Sequence, residues 1–260
     1  MTKQDTAATR PVRDRITLIT GASRGIGAAC AHRLAAAGHA VCVNYARDEK
    51  TARALVESLR RGGTRAIAVQ ADVARESDVV RLFETCDREL GPLTGLVNNA
   101  GQLAPPARVD AMSADRISQL LAVNVVGAFI AAREAVRRLS TRHGGAGGTI
   151  VNVSSAAARL GSPGEFVDYA ASKGAIDAMT RGLSLEVAAE GVRVVGVRPG
   201  LIDTEIHDSF GAVGRLGRLA PSVPVGRAGS ADEVAAVIAW LLSDDASYMT
   251  GATLDVTGGR

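Results

Sequence analysis

The stretch ITLITGASRGIG, residues 16–27, joins four apolar residues to a glycine-rich turn and the start of a helical pattern. Gly21, Gly25 and Gly27 are spaced G-x-x-x-G-x-G. Glycines between a strand and a helix let the backbone approach a phosphate closely, and the helix N-terminus supplies free N–H groups and a positive dipole. The stretch therefore predicts a dinucleotide-phosphate site, with a purely structural tight turn as the alternative.

Short β-branched runs alternate with longer helical patterns along the rest of the chain. Runs such as LVNN and VRVVGV are continuously apolar, as expected of strands covered on both faces. The pattern predicts an α/β fold of the Rossmann type, a doubly wound parallel seven-stranded sheet with helices on both faces. The expected strands are Ile16–Ile19, Ala40–Asn44, Ala66–Gln70, Gly95–Asn98, Gly148–Val153, Arg193–Val197 and Thr253–Val256. The expected helices are Gly25–Ala37, Lys50–Arg61, Glu76–Leu90, Ser113–Leu139, Asp168–Glu190 and Ala231–Ser243.

A chain of 260 residues is long enough for one large domain and too short for two of ordinary size. The 47% apolar content excludes a disordered chain. We expect a loose polar arm over residues 1–14 and a single domain over 15–260. Within that domain, the Gly- and Pro-rich segment 201–229 is too long for an ordinary connection and is interpreted as a substrate loop.

Charge and cysteine content narrow the function classes. The 30 basic and 27 acidic residues are interspersed, with no run of five like charges, which disfavours nucleic acid as a partner. Cys30, Cys42 and Cys86 lie in apolar segments and are interpreted as buried thiols, and no pattern of metal ligands is found. The N-terminus lacks the apolar core of a signal peptide, and no continuous apolar run reaches 18 residues. We expect a cytoplasmic protein with no membrane or metal.

The end of the second strand bears on which dinucleotide binds. An NAD-preferring site places an acid there to bind the ribose hydroxyls, but the sequence continues Tyr45-Ala46-Arg47. Arg24 lies inside the glycine turn, and arginine forks match a 2′-phosphate well. The sequence therefore favours NADP(H), with NAD(H) as the alternative; ordinary surface arginines would be the plain explanation, above all for Arg47.

Tyr169 and Lys173 lie four residues apart in YAASK, so they share one helix face. Lowering a tyrosine pKa from about 10 to about 7 requires roughly 4 kcal/mol. A lysine ammonium about 4 Å away supplies that only in a partly dry cleft. Ser154 or Ser155, just past the strand in TIVNVSS, is the candidate hydroxyl partner. Lysine is rare here, with 3 lysines against 27 arginines, which favours a functional lysine over a surface pair.

Over residues 14–260 the sequence resembles the short-chain dehydrogenase/reductase family, and it weakly resembles the bacterial sugar or alcohol dehydrogenases within it. The sequence departs from the family pattern at one point, since Ser155 and Tyr169 are 14 residues apart, one more than in many members. This spacing leaves open whether Ser154 or Ser155 is the serine of the site. The blocks that carry the resemblance are TGASRGIG at 20–27, ADV at 71–73, NNAG at 98–101, NVVG at 124–127, NVSS at 152–155, YAASK at 169–173 and RPG at 198–200.

The resemblance implies roles for these residues. Tyr169 is the general acid or base, Lys173 holds the nicotinamide ribose, and Ser155 polarises the substrate oxygen. Asn124 holds a water that links Lys173 to solvent. The complete set expected to contact the cofactor is Gly21, Ser23, Arg24, Gly25, Ile26, Gly27, Asn44, Tyr45, Arg47, Asp72, Val73, Asn99, Ala100, Gly101, Tyr169, Lys173, Pro199, Gly200, Ile202 and Thr204.

The expected activity is NADP(H)-dependent hydride transfer between a nicotinamide and a carbonyl or secondary alcohol. A catalytically idle dinucleotide-binding or sensing module is the alternative from another class. Among enzymes, a 3-oxoacyl thioester reductase and a glucose-type sugar dehydrogenase stay open, since Arg215 and Arg218 of the substrate loop could meet a phosphopantetheine arm. Helices 113–139 and 168–190 resemble the family's dimerising pair, which implies a homotetramer, or a homodimer.

Overall fold

A computed structural model defines the fold and describes residues 14–204 and 214–260. The arm expected over residues 1–14 falls outside the described residues except for Asp14. In the expected substrate loop, residues 205–213 are also outside them. The remainder of the chain forms one body around one large sheet.

The seven-stranded sheet has the order β3-β2-β1-β4-β5-β6-β9, and every neighbouring pair is parallel. The predicted fold class is confirmed. A second, two-stranded parallel sheet, which the sequence did not indicate, pairs β7 with β8. The strands are β1 (Ile16–Ile19), β2 (Ala40–Tyr45), β3 (Ala66–Gln70), β4 (Gly95–Asn98), β5 (Gly148–Val153), β6 (Val192–Pro199), β7 (Ile202–Asp203), β8 (Gly229–Ser230) and β9 (Thr253–Val256).

The helices cover both faces of the large sheet. Strand residues alternate between the faces, so that Ile19 and Val43 join one apolar core while Leu18 and Cys42 join the other. The first core lies under α1, α2 and α9, and the second lies under α3 and α5. The helices are α1 (Gly25–Ala36), α2 (Glu49–Arg61), α3 (Glu76–Leu90), α4 (Ala114–Leu121), α5 (Ala128–Leu139), α6 (Ala157–Leu160), α7 (Val167–Val187), α8 (Arg215–Leu219) and α9 (Ala231–Leu242).

The helix expected over Ser113–Leu139 is interrupted. A single π-helical segment, Ala122–Gly127, separates α4 from α5. By length and composition alone, Ala114–Leu139 could cross a membrane, with 26 residues and a mean hydropathy of 1.4 in its most apolar window. The core helices of soluble proteins meet the same criterion, and here α5 contributes Ala131, Ala135 and Leu139 to the core.

Strand order reverses direction between β1 and β4. The chain runs outward from β1 to β2 and β3, then returns to β4 on the other side of β1. The connections at this point diverge and leave a crevice beyond the carboxyl ends of the two strands, which is where open α/β sheets bind ligands. The glycine turn follows β1, so it lies at the edge of this crevice.

Candidate active site

A cavity of about 770 Å³ lies beyond the carboxyl ends of the central strands. It is lined by the glycine turn after β1, the ends of β2, β4, β5 and β6, and the first turn of α7. Predicted residues that line it include Gly21, Ser23, Arg24, Gly25, Ile26, Asn44, Tyr45, Arg47, Asp72, Val73, Asn99, Ala100, Gly101, Ser155, Tyr169, Lys173, Pro199, Gly200, Ile202 and Thr204.

Two of the three glycines in the turn leave no room for a side chain. Gly21 has φ +61°, and a Cβ there would lie 2.9 Å from the Cα of Ala100. A Cβ on Gly27 would lie 2.7 Å from the carbonyl oxygen of Gly21, so this glycine serves the packing beneath the turn and does not line the cavity. The bare backbone of the turn and the N-terminus of α1 together fit a dinucleotide pyrophosphate.

Asn44 has a different role from the cofactor contact expected of it. It lines the cavity, but its side chain is buried and bonded to backbone. Its Oδ1 accepts from the Gly21 amide at 3.1 Å, and its Nδ2 donates to the Ala71 carbonyl at 3.0 Å. The side chain therefore fixes the glycine turn to the ends of β2 and β3, and its effect on a cofactor is indirect.

The exposed side chains of Arg24 and Arg47 lie at the end of the cavity next to β2. Asp48 lines the same end and caps α2, where its carboxylate accepts from the Thr51 amide at 3.1 Å. That hydrogen bond, together with the positive charges of Arg24 and Lys50, lowers the pKa of Asp48. The site thus holds two guanidinium groups, with one carboxylate already engaged by a helix N-terminus.

Ser155 and Tyr169 both line the cavity, and their side chains are hydrogen-bonded to each other. Ser155 also accepts from the Ala157 amide at 3.1 Å, which fixes its hydroxyl. Ser154 is buried, and its hydroxyl donates to the Lys173 carbonyl of α7 at 3.1 Å. The geometry therefore pairs Ser155 with Tyr169, a choice that the sequence spacing left open.

Lys173 is buried beneath Tyr169. Its Nζ donates to the Val153 carbonyl at 2.8 Å and lies 5.7 Å from the centroid of the Tyr169 ring. Burial lowers the pKa of Lys173 to about 8, against an opposing effect of the Asp177 carboxylate. Both Lys173 and Tyr169 line the cavity, so the ammonium and the phenol share one side of it.

The expectation that Lys173 lowers the pKa of Tyr169 stays a prediction for the cleft with a cofactor bound. Burial raises the pKa of Tyr169, and the hydrogen bond from Ser155 is the effect that lowers it. The pKa of Tyr169 rises because the cleft removes water from the phenol. Lys173 lies over the ring and donates its hydrogen bond to the carbonyl of a strand residue. Tyr169 is therefore a protonated acid at neutral pH.

Asn124 lies behind the cavity, inside the π-helical segment. Its Oδ1 accepts from the Gln102 amide at 2.8 Å, while its Nδ2 donates to the Gln102 carbonyl at 2.9 Å and the Ser172 hydroxyl at 3.1 Å. Ser172 in turn donates to the Tyr169 carbonyl at 2.7 Å. Asn124 thus connects the strand-end segment after β4 to the helix that carries Tyr169.

Several cavity residues were not singled out as site residues. Gln102 and Leu103 follow the NNAG block directly, and Glu165 and Phe166 precede Tyr169, so proximity to a motif was the available signal. Arg260 lines the cavity as the last residue of the chain, and no sequence signal indicated it. In the described part of the chain, no cluster of His, Cys, Asp or Glu could hold a metal ion.

This fold and site define the class of nicotinamide-dependent oxidoreductases: a phosphate-binding turn, a serine and tyrosine hydroxyl pair, and a lysine beneath them. A family model described as enoyl-(acyl carrier protein) reductase matches residues 21–260. The chain belongs to the short-chain dehydrogenase/reductase family and is an oxidoreductase of that family.

Sequence relatives extend over nearly the whole chain. An uncharacterized oxidoreductase of Escherichia coli, YgfF, is 52% identical and covers 94% of this chain and 99% of its own. A 3beta-hydroxysteroid dehydrogenase of Eggerthella lenta is 38% identical, covering 95% and 94%. Glucose 1-dehydrogenase 2 of Bacillus subtilis is 36% identical, covering 94% of each chain.

Solved structures show the same similarity. A short-chain dehydrogenase/reductase from Serratia marcescens has TM-score 0.87 and 32% identity, covering 96% of this chain and 99% of its own. A blue fluorescent protein from a metagenomic library, in complex with NADPH, has TM-score 0.86 and 34% identity with the same coverage. A Brucella melitensis 3-ketoacyl-(acyl-carrier-protein) reductase complexed with NADH has TM-score 0.87 and 32% identity, covering 95% and 98%.

Proposed function

We propose that the protein is an NADP(H)-dependent carbonyl reductase or secondary-alcohol dehydrogenase in which Tyr169 is the general acid and base. The observation that carries the proposal is the hydrogen-bonded pair Ser155 and Tyr169 with buried Lys173 beneath it, all on one cavity with the glycine turn. The nicotinamide, when bound, supplies or accepts the hydride.

In the reducing direction, the chain's own residues orient the carbonyl and deliver a proton. Ser155 donates a hydrogen bond to the carbonyl oxygen, which polarises it, and the Tyr169 hydroxyl transfers its proton to that oxygen. Lys173 then stabilises the phenolate that forms. Its ammonium also binds the ribose next to the nicotinamide.

Replacing the acid tests the mechanism. Tyr169→Phe removes the transferable proton and leaves the ring in place, so we expect turnover to fall about 100-fold or more. NADPH binding, measured by fluorescence titration, should change less than threefold. Tyr248→Phe is the matched control, because Tyr248 is fully exposed and should keep wild-type turnover. Turnover within a few-fold of wild type for Tyr169→Phe would refute the mechanism.

The preference for NADP(H) is proposed from the two guanidinium groups at the end of the cavity next to β2. Arg24→Gln should weaken NADPH binding tenfold or more and leave NADH binding within twofold, because only NADPH presents a 2′-phosphate. Isothermal titration with both cofactors measures this. Arg53→Gln on the outer face of α2 is the control. Equal loss for both cofactors, or a tenfold NADH preference in the wild type, would contradict the proposal.

The wall of the cavity supports an apolar substrate. Its apolar lining includes Leu103, Leu160, Pro163, Phe166, Leu201 and Leu219. We therefore propose a medium-sized, largely apolar ketone or secondary alcohol. Cofactor oxidation measured against ketones, aldehydes, 3-oxoacyl thioesters and sugars tests this; faster turnover of sugars or thioesters would overturn it.

The same cofactor-oxidation assays distinguish the proposed activity from two alternatives. A 3-oxoacyl thioester reductase needs a cation for the phosphopantetheine arm, but Arg218 lies 3.7 Å from the Glu165 carboxylate at the cavity mouth. An idle dinucleotide-binding module would bind NADPH and reduce nothing. A cytoplasmic location and a homotetramer remain predictions.

A further inference from the structure

A buried ion pair lies directly behind the first turn of α7. Asp168 precedes Tyr169, and its carboxylate is only 1% exposed. Arg116 of α4 donates from Nε to Oδ2 at 2.8 Å and from a terminal nitrogen to Oδ1 at 3.5 Å. Burying two charges costs desolvation, so such a pair is a poor source of stability and is better explained by a need for fixed geometry. Most other ion pairs in the described residues are more exposed.

The pair joins three segments that have no sequence proximity. Arg116 donates a further hydrogen bond, at 2.6 Å, to the carbonyl of Pro105, in the segment between β4 and α4. The Oδ1 atom of Asp168 also accepts a hydrogen bond from the Tyr169 backbone amide at 2.9 Å. Phe166, at the N-cap of α7, makes no side-chain capping bond, so Asp168 satisfies an amide that the helix leaves free.

The segment held by Arg116 begins at a wall of the cavity. Gly101, Gln102 and Leu103 line it at one end. At the other end, the Ala107 amide donates to the Glu165 carbonyl at 2.9 Å, just before α7. Arg116 lies between these two attachments. The guanidinium is therefore a side-chain link between this segment and the first turn of α7, beside the links made by Asn124 and by the Ala107 amide.

We propose that Arg116 and Asp168 form a positioning pair that, by holding the segment 101–108, fixes the Tyr169 hydroxyl relative to the cavity wall formed by Gly101, Gln102 and Leu103. The proposal rests on the proposed function of Tyr169 as the acid. The pair touches neither cofactor nor substrate. It acts by holding the first turn of α7 and the wall in one arrangement, and a displacement of about 1 Å at a proton donor is enough to slow the reaction by about 100-fold.

Two variants separate positioning from simple charge compensation. Arg116→Lys keeps the charge beside Asp168, but an ammonium cannot reproduce the planar fork that also reaches Pro105. The double variant R116Q/D168N removes both charges together, so no buried charge is left unpaired. For both we expect kcat to fall tenfold or more and the KM of the carbonyl substrate to rise. The Kd of NADPH should stay within twofold, because the pair is remote from the glycine turn.

The control is Arg88→Gln, which removes an exposed ion pair with Glu89 at the C-terminal end of α3 and should leave kcat and KM unchanged. Urea unfolding verifies that each variant is folded. Amide hydrogen exchange of residues 101–108 gives a readout that needs no substrate, and we expect it to accelerate in both variants. Folded variants with kcat, KM and exchange within twofold of wild type would overturn the proposal.

The proposed function and the positioning pair fail in different ways. If the wild type reduces no carbonyl, or Tyr169→Phe keeps its turnover, the proposed function fails. The pair is overturned separately if residues 101–108 exchange at the wild-type rate in R116Q/D168N. An active wild type with unaffected Arg116→Lys would also overturn the pair and leave the proposed function standing.

Discussion

At the scale of single residues, the site has an acid and a cation whose proton affinities are shifted in opposite directions by the same dry environment. Burial raises the pKa of Tyr169 and lowers that of Lys173 to about 8, because desolvation disfavours the charged form of each. At neutral pH the phenol is therefore protonated while most of the lysine is still charged. This pairing suits proton donation to a carbonyl.

These shifts predict the pH dependence of reduction. The value of kcat/KM should be level up to about pH 8 and decline above it, as Lys173 loses its proton in the free enzyme. The Asp177 carboxylate raises the pKa of Lys173, so Asp177→Asn should move the decline to lower pH. Steady-state rates from pH 6 to 10 measure both effects. Asp115→Asn, at an exposed position of α4, is the control, and a profile that stays level to pH 10 would contradict the assignment.

At the scale of elements, the π-helical segment Ala122–Gly127 is the feature that places polar atoms behind the cavity. π-Segments inside α-helices occur often at functional sites. Here the segment brings Asn124 to the Gln102 backbone and to Ser172. It also packs Gly127 against the turn that follows β3. A Cβ on this glycine would lie 2.6 Å from the Val73 carbonyl oxygen in that turn.

Substituting that glycine tests the packing. Gly127→Ala should destabilise the protein by about 1–3 kcal/mol, because the new methyl group meets backbone that cannot rotate away. Gly174→Ala is a matched control in α7, since nothing lies within 4 Å of the position that its Cβ would occupy. That change should be neutral or stabilise by about 0.5–1 kcal/mol. Urea unfolding measures both free energies, and equal effects would contradict the packing argument.

At the scale of the whole molecule, the outer faces of α5 and α7 leave an apolar groove. Phe129 is 51% exposed on α5, and the groove continues over Val136, Met179 and Leu183. Exposed apolar patches of this kind mark protein–protein contacts. The homotetramer, or homodimer, implied by the family resemblance stays a prediction, and this groove is the contact surface that we expect for it.

Phe129→Glu should therefore reduce the assembly to dimers or monomers, because a carboxylate in a buried apolar contact has no partner. Sedimentation velocity at micromolar concentration measures the size. Val109→Glu is the control, since Val109 is 64% exposed outside the groove. A wild-type protein that sediments as a monomer would contradict the expected oligomer.

The sequence predicted the seven strands of the large sheet and the positions of six helical stretches to within a few residues, because strands and helices differ in their apolar periodicity. It did not predict the break at Ala122–Gly127, since the apolar pattern runs through it unchanged. Nor could it choose Ser155 over Ser154, because one residue of spacing decides which hydroxyl faces the cavity. The contact of Arg116 with Asp168 joins residues 52 apart in sequence and leaves no local signal.

The strand order has a consequence for how the chain acquires its structure. β1 pairs with β4, and β6 pairs with β9 at the very end of the chain. During synthesis, the β3-β2-β1-β4 half of the sheet can assemble once about 100 residues have left the ribosome, whereas the half that carries Tyr169 waits for the last strand. Parallel pairings over such sequence separations fold slowly. We therefore expect the glycine turn to be organised before Ser155 and Tyr169 are brought together.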